Sequence, residues 1–215
     1  VYSMQGDLAP VKDLYRLADQ YEQLHLYIDD IHGMSWTGQH GSGFVTSQGD
    51  YHPRLYLTTG LTKAFGAAGG LLVYPDAEIH KLVKNNSKSF IFSIQMPPMI
   101  LGAAIESAKI HLSDEIYTMQ DELKAKVAFF NATAKKLELP LVNETESPIA
   151  FIGVGKPDVG YNMVRRMMNL GYFFNLSVFP SVSYNNTGLR IPINRLMTYE
   201  DIENLLTEIS VQLPK

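Results

Sequence analysis

The sequence contains no cysteine. A disulfide framework, a zinc ribbon, an iron–sulfur centre and a thiol nucleophile are therefore excluded. No apolar run approaches the roughly 20 residues that span a bilayer, so no membrane span is expected. Basic clusters are missing as well. The 18 Lys+Arg stand against 22 Asp+Glu, a net charge of -4, which argues against a nucleic-acid or anionic-membrane surface as the main function. The six histidines show no His-x-x-x-His spacing, and no metal is expected. The opening Val1-Tyr2-Ser3-Met4 has neither an initiator methionine nor a signal-peptide pattern. It reads as the interior of a longer, cytoplasmic chain.

What remains is enough for a packed core. Hydrophobic residues make up 46% and charged residues 19% of 215, which suits one or two globular domains. Residues 10–24 place Val11, Leu14, Leu17, Ala18, Tyr21 and Leu24 on one helical face, with Pro10 suited to its first turn. Strands are expected at 24–28, 55–59, 71–74 and 90–94, with a helix at 77–84 and a glycine-rich loop after Asp30. This alternation suggests a largely parallel α/β sheet covered on both faces. Residues 98–112 read as a buried helix and 114–138 as a long amphipathic one ended by Pro140. Strands at 149–154, 173–179 and 189–193 and helices at 158–170 and 199–212 complete a compact α+β unit. The expected domains are 1–105 and 106–215, with the boundary inside helix rather than in a linker. Met163, Met167 and Met168 are expected in the core of the second.

Three groups of residues could carry chemistry. Asp29-Asp30-Ile31-His32 follows a strand, and in parallel sheets ligands sit beyond the carboxyl ends of strands. A carboxylate there can hold a protonated ring nitrogen, and a histidine three residues on can reach the same ligand; the motif also reads as an acidic loop start with a structural histidine. Lys63 lies amid Thr58, Thr59, Gly60, Thr62, Ala64 and Gly66, hydroxyls and small residues with no other charge nearby. A lysine in such a site can form a Schiff base, and small neighbours let a flat cofactor approach the backbone; a surface lysine before a turn is the other reading. Arg190 stands in a short strand and could clamp a carboxylate, although most arginines are solvated. In this order, the three are what pyridoxal phosphate (PLP) chemistry on an amino acid needs. Met34 and Trp36, in the loop after His32, read as packing residues.

Several motifs in register carry a family resemblance. They are Tyr2-Ser3-Met4-Gln5-Gly6-Asp7-Leu8-Ala9-Pro10, then Asp29 to His32 followed by Gly38-Gln39-His40-Gly41-Ser42-Gly43, and then Lys63-Ala64-Phe65-Gly66 with Gly69-Gly70 close behind. Phe90-Ile91-Phe92-Ser93 and the Pro180 to Arg190 spacing follow. The chain resembles, nearly end to end, the C-terminal half of the α-oxoamine synthases, PLP-dependent enzymes of fold type I. The resemblance implies an α/β fold: part of the large domain's mixed, mostly parallel sheet, and a C-terminal α+β small domain. It implies condensation of a small amino acid with an acyl-CoA, usually with loss of CO2, in a homodimer whose active sites lie at the interface.

The resemblance also implies residue roles. Asp29 pairs with the pyridine nitrogen, His32 and Ser3 contact the ring's 3-oxygen, and Lys63 holds the cofactor as a Schiff base. Ser93 reaches the phosphate of the partner subunit's cofactor, and Arg190 binds the substrate carboxylate. Three positions depart from the family pattern. Gly60 replaces a threonine three residues before the lysine, leaving Thr59 or Thr62 to reach the cofactor. Ser42 replaces an arginine in the glycine loop, and Lys88-Ser89 replaces Arg-Pro. Two other functions keep the same residues in view: a class I/II aminotransferase, and a catalytically silent partner subunit, for which Lys63 would have no chemical use.

Overall fold

The computed structural model describes residues 1–144 and 146–213. The chain divides into two compact units, one of Val1 and Ala9–Gln120, the other of Tyr2–Leu8 and Asp121–Lys215. The 105/106 boundary drawn from the sequence falls inside a helix of the first unit.

The first unit opens with α1 (Val11–Gln20), whose Val11 and Ala18 are buried while its charged face is exposed. Pro10 sits at the N-cap, one position before the first turn. The sheet has strand order β1 (Leu26–Asp29), β2 (Leu55–Gly60), β3 (Gly70–Val73). β1 and β2 are parallel, with Asp29 beside Thr58, whereas β2 and β3 are antiparallel. The sheet is thus mixed, and only one of its two pairings is the parallel kind expected. A parallel pair needs a long crossover, usually a helix. Here residues 30–54 form a glycine-rich loop with two single 3-10 turns, Gln39–Gly41 and Thr46–Gln48. β2 turns Leu55 and Leu57 inward and carries Thr59 and Gly60 to its buried end.

Two expectations fail after β3. The helix α2 (Ala77–Asn86) forms with Asp76 as its cap, accepting from the Ile79 N–H at 2.8 Å. The expected strand at 90–94 does not form. Instead α3 (Lys88–Ile91) makes one turn on the Ser87 carbonyl, and Phe92 and Ile94 are 82% and 96% exposed. A short apolar run reads equally as strand or helix by periodicity, and no neighbouring strand pairs with this one. The expected buried helix is α4 (Pro98–His111), but its Met99, Leu101 and Ile105 are exposed and only His111 is buried. Helices that are apolar all round are normally covered, and this one lies uncovered among the described residues.

α5 (Glu115–Lys136) runs from the first unit into the second. The second unit is an antiparallel sheet in the order β4 (Ile149–Gly155), β6 (Thr187–Pro192), β5 (Asn175–Ser177). It packs with α6 (Pro157–Asn169) and α7 (Tyr199–Gln212) around Phe130, Ile152, Met163, Met167, Leu189 and Leu206. Met168, expected among them, is half exposed because it falls on the outer face of α6. Ile202, Leu205, Leu206 and Ile209 give α7 its inner face, each worth about 1.5–3 kcal/mol on burial. Thr198 and Asp201 start that helix with a reciprocal capping box. Among the described residues, no helix is long and apolar enough to cross a membrane.

Candidate active site

The parallel register of β1 and β2 decides where the chemistry can occur. Asp29 is the last residue of β1, and Lys63 follows the end of β2 by three residues. Because the strands run the same way, both emerge at the same carboxyl edge, where α/β sheets bind ligands. Asp29 is exposed, and one carboxylate oxygen accepts the Ile31 N–H at 2.9 Å, which sets its rotamer. Lys63 and Thr62 are exposed on the turn between β2 and β3. That turn is closed by Gly66 N–H to the Lys63 carbonyl at 3.0 Å and Ala67 N–H to the Leu61 carbonyl at 2.8 Å. His32 is half-buried, and its carbonyl accepts the Trp36 indole N–H at 2.7 Å. Trp36 is thus a buried packing residue, as expected, that also holds the backbone of His32.

Asp30, to which the sequence reading gave no separate role, organises this edge. It is 1% exposed, and its Oδ2 accepts the Val45 N–H at 2.8 Å. A side chain at Gly33 or Gly43 would reach within 2.2 or 2.5 Å of its carboxylate. The carboxylate therefore acts as the peg around which the glycine loop winds. Burial raises its pKa above the ordinary carboxyl range, against the opposing backbone hydrogen bonds. For an acid raised in the fold, stability is full below the ordinary carboxyl pKa and is lost as pH rises through the folded value. Asp30→Asn should remove that loss, so that its denaturation midpoint stays flatter with pH than the wild type's above pH 4. Equal pH slopes for the two proteins would contradict this role.

Geometry separates the two threonines. Thr59 is buried and its hydroxyl lies 3.4 Å from the Asp30 carbonyl and 3.5 Å from the Met34 sulfur, so it faces the loop. Thr62 is the exposed one of the pair. At Gly60, a Cβ would lie 2.3 Å from the Ile31 Cδ1. The Ile31 side chain occupies the space that a side chain at position 60 would enter, so a residue there would require Ile31 to repack.

Ser93 is exposed in the first unit, in the coil after α3, and its hydroxyl donates to the Phe90 carbonyl at 3.1 Å. Ser3 and Arg190 belong together in the second unit. The Arg190 Nε–H donates to the Ser3 carbonyl at 2.8 Å, which leaves the two terminal amino groups of the fork for another acceptor. Arg190 sits mid-strand in β6, paired with Phe151 on one side and Asn175 on the other, so its backbone is held from both sides. Burial lowers its pKa, but an arginine starts high enough to remain charged. Beside Ser3, a cleft of about 600 Å³ is lined by Tyr2, Met4, Gln5, Asp7, Phe179 and Ser183. The exposed amine of Lys63 and the carboxylate of Asp29 at one sheet edge are the donor types that would hold PLP.

Comparison with known proteins accords with this geometry. The family model for aminotransferase class I and II matches residues 1–209. The 8-amino-7-oxononanoate synthase of Thermosipho melanesiensis is 31% identical over 206 residues, covering 94% of this chain and 51% of that protein. The chain therefore spans about half the length of the curated relatives it matches. A serine palmitoyltransferase solved with PLP superposes at a TM-score of 0.89, with 22% identity, over 99% of this chain and 52% of that one. The 8-amino-7-oxononanoate synthase of Francisella tularensis superposes at 0.84, with 23% identity, over 99% and 60%. At these identities the solved structures establish the fold, that of the fold-type I PLP enzymes.

Proposed function

Because the chain belongs to the aminotransferase class I and II family, we propose that it supplies the lysine-bearing part of a PLP-dependent acyltransferase joining a small amino acid to an acyl-CoA. The observation that carries this is the placement of Asp29 and Lys63 at one carboxyl edge of parallel strands. The names of the curated relatives, synthases rather than aminotransferases, support acyl transfer.

Bound PLP supplies an electron sink for the substrate's α-carbon. Asp29 holds the ring nitrogen protonated by its charge. Lys63 would be the covalent anchor and the base that receives the substrate's α-proton. His32 and Ser3 would contact the ring's 3-oxygen, and Thr62 would reach the cofactor beside the anchor. Arg190 receives the substrate carboxylate on its two terminal amino groups. With the cofactor bound, the substrate's α-carbon would take the acyl group from the thioester with release of CoA thiol, and the carboxylate would leave as CO2. Ser93 serves the phosphate of a partner subunit in a homodimer. The exposed apolar segment around it, with Phe92 and Ile94 uncovered, supports a partner there. The cytoplasm, which holds acyl-CoA pools, is the compartment this reading implies.

Single amino acids with PLP and an acyl-CoA, added to the full-length protein, test the reading. Release of free CoA thiol that needs both substrates is expected. Stoichiometric conversion of the cofactor to pyridoxamine phosphate by an amino acid alone would instead make the protein an aminotransferase.

A further inference from the structure

The C-terminal part of α4 carries Ser107 and His111, one turn apart, beside an exposed Glu106–Lys109 ion pair on a mostly apolar helix. The Ser107 hydroxyl donates to the Phe65 carbonyl at 2.6 Å, two residues beyond Lys63. One turn later, the buried His111 ring stacks on the Phe65 ring with centroids 4.6 Å apart. The same imidazole reaches the other catalytic loop. Its Nδ1 lies 2.8 Å from the Ser107 carbonyl, which can only accept, so Nδ1 carries the proton. Nε2 hydrogen-bonds the Ser35 hydroxyl at 2.9 Å, three residues beyond His32. Ser35 is itself held in the left-handed region at φ 75°. Its carbonyl accepts from Gln120 Nε2 at 3.0 Å, and the same amide group spans to the Gly38 carbonyl at 3.1 Å. Gly41 makes room for the ring, since a Cβ there would lie 2.6 Å from the His111 Cδ2.

We infer that Ser107 and His111 form a clamp that couples the Lys63 turn to the loop after His32, so that one helix end sets the spacing between the amine and the imidazole. Both are positioning residues acting through Phe65 and Ser35. The inference rests on the reading of Lys63 and His32 as cofactor residues, but the coupling itself is a property of the two loops and can be measured without cofactor.

Hydrogen–deuterium exchange on the full-length protein without PLP tests the clamp. Ser107→Ala and His111→Phe should each speed exchange by about tenfold in peptides covering both 35–43 and 61–67. Peptides from β4 and β6 should be unchanged, the double variant should add nothing further, and Ser107→Thr should behave as wild type. With PLP added, the visible band of the Lys63-linked cofactor should move in Ser107→Ala and His111→Phe but not in Ser107→Thr. If Ser107→Ala loosens only 61–67, or neither loop loosens, the clamp is refuted. If both loops loosen together but the wild type takes up no PLP, the clamp stands and the cofactor reading falls. Should His111→Phe fail to fold, Ser35→Ala takes its place in the same comparison.

Discussion

Lys63→Ala is expected to lower the rate of CoA release by about 10⁴-fold, the upper range for a lost general base, and to leave nothing that borohydride can fix to the chain. The wild-type protein with PLP should yield one reduced adduct, mapped to the peptide that contains Lys63. The variant should fold normally, because Lys63 is exposed on a turn whose hydrogen bonds are made by backbone groups. Exposed substitutions of this kind usually stay within about 0.5 kcal/mol. Lys63→Arg should be equally inactive, since a guanidinium keeps the charge but cannot form the Schiff base. An adduct on a different lysine, or a Lys63→Ala protein that keeps the cofactor's covalent band, would remove the centre of the proposed function.

Arg190→Lys is expected to have the second largest effect. The structure uses Nε on the Ser3 carbonyl and leaves the paired terminal amino groups for a carboxylate. Lysine keeps the charge and loses the fork. Two charge-assisted hydrogen bonds at about 1.5–3 kcal/mol each amount to about 3–6 kcal/mol, or about 10²–10⁴-fold in kcat/KM for the amino acid. The loss should fall mainly on the KM of the amino acid, with PLP uptake and the KM of the acyl-CoA little changed. Comparing the amino acid with the matching amine that lacks a carboxylate makes the test specific. Should the variant impair both equally, Arg190 does not bind the carboxylate.

The site residues were legible in the sequence to different degrees. Lys63 stood out because a lone charge amid hydroxyls and glycines is rare, and Asp29 because it ended an apolar run. Arg190 drew notice only in company with them. Asp30 and Asp29 are chemically identical neighbours in the sequence, and only the fold separates them. One side chain accepts its Ile31 N–H at an exposed strand end, while the other is buried against Val45. The Ile31 side chain lies over Gly60, a long-range contact that the sequence departure gave no sign of. Ser107 and His111 were signalled only by their i, i+4 spacing on an apolar helix. Their partners lie 42 and 76 residues away in sequence, a distance no local pattern bridges.

By itself, the sequence determined most element positions, the order of the motifs, and the chemistry those side chains can perform. These are local matters, governed by periodicity, turn residues and functional-group type. Tertiary structure alone decided the antiparallel pairing of β3, the helical turn at 88–91, the exposure of α4, and the burial of Asp30 beside an exposed Asp29. Those outcomes depend on which surface each residue meets. A strand takes its direction from its neighbour, an apolar run stays exposed where nothing packs on it, and a carboxylate becomes a peg or a ligand according to how much water it keeps.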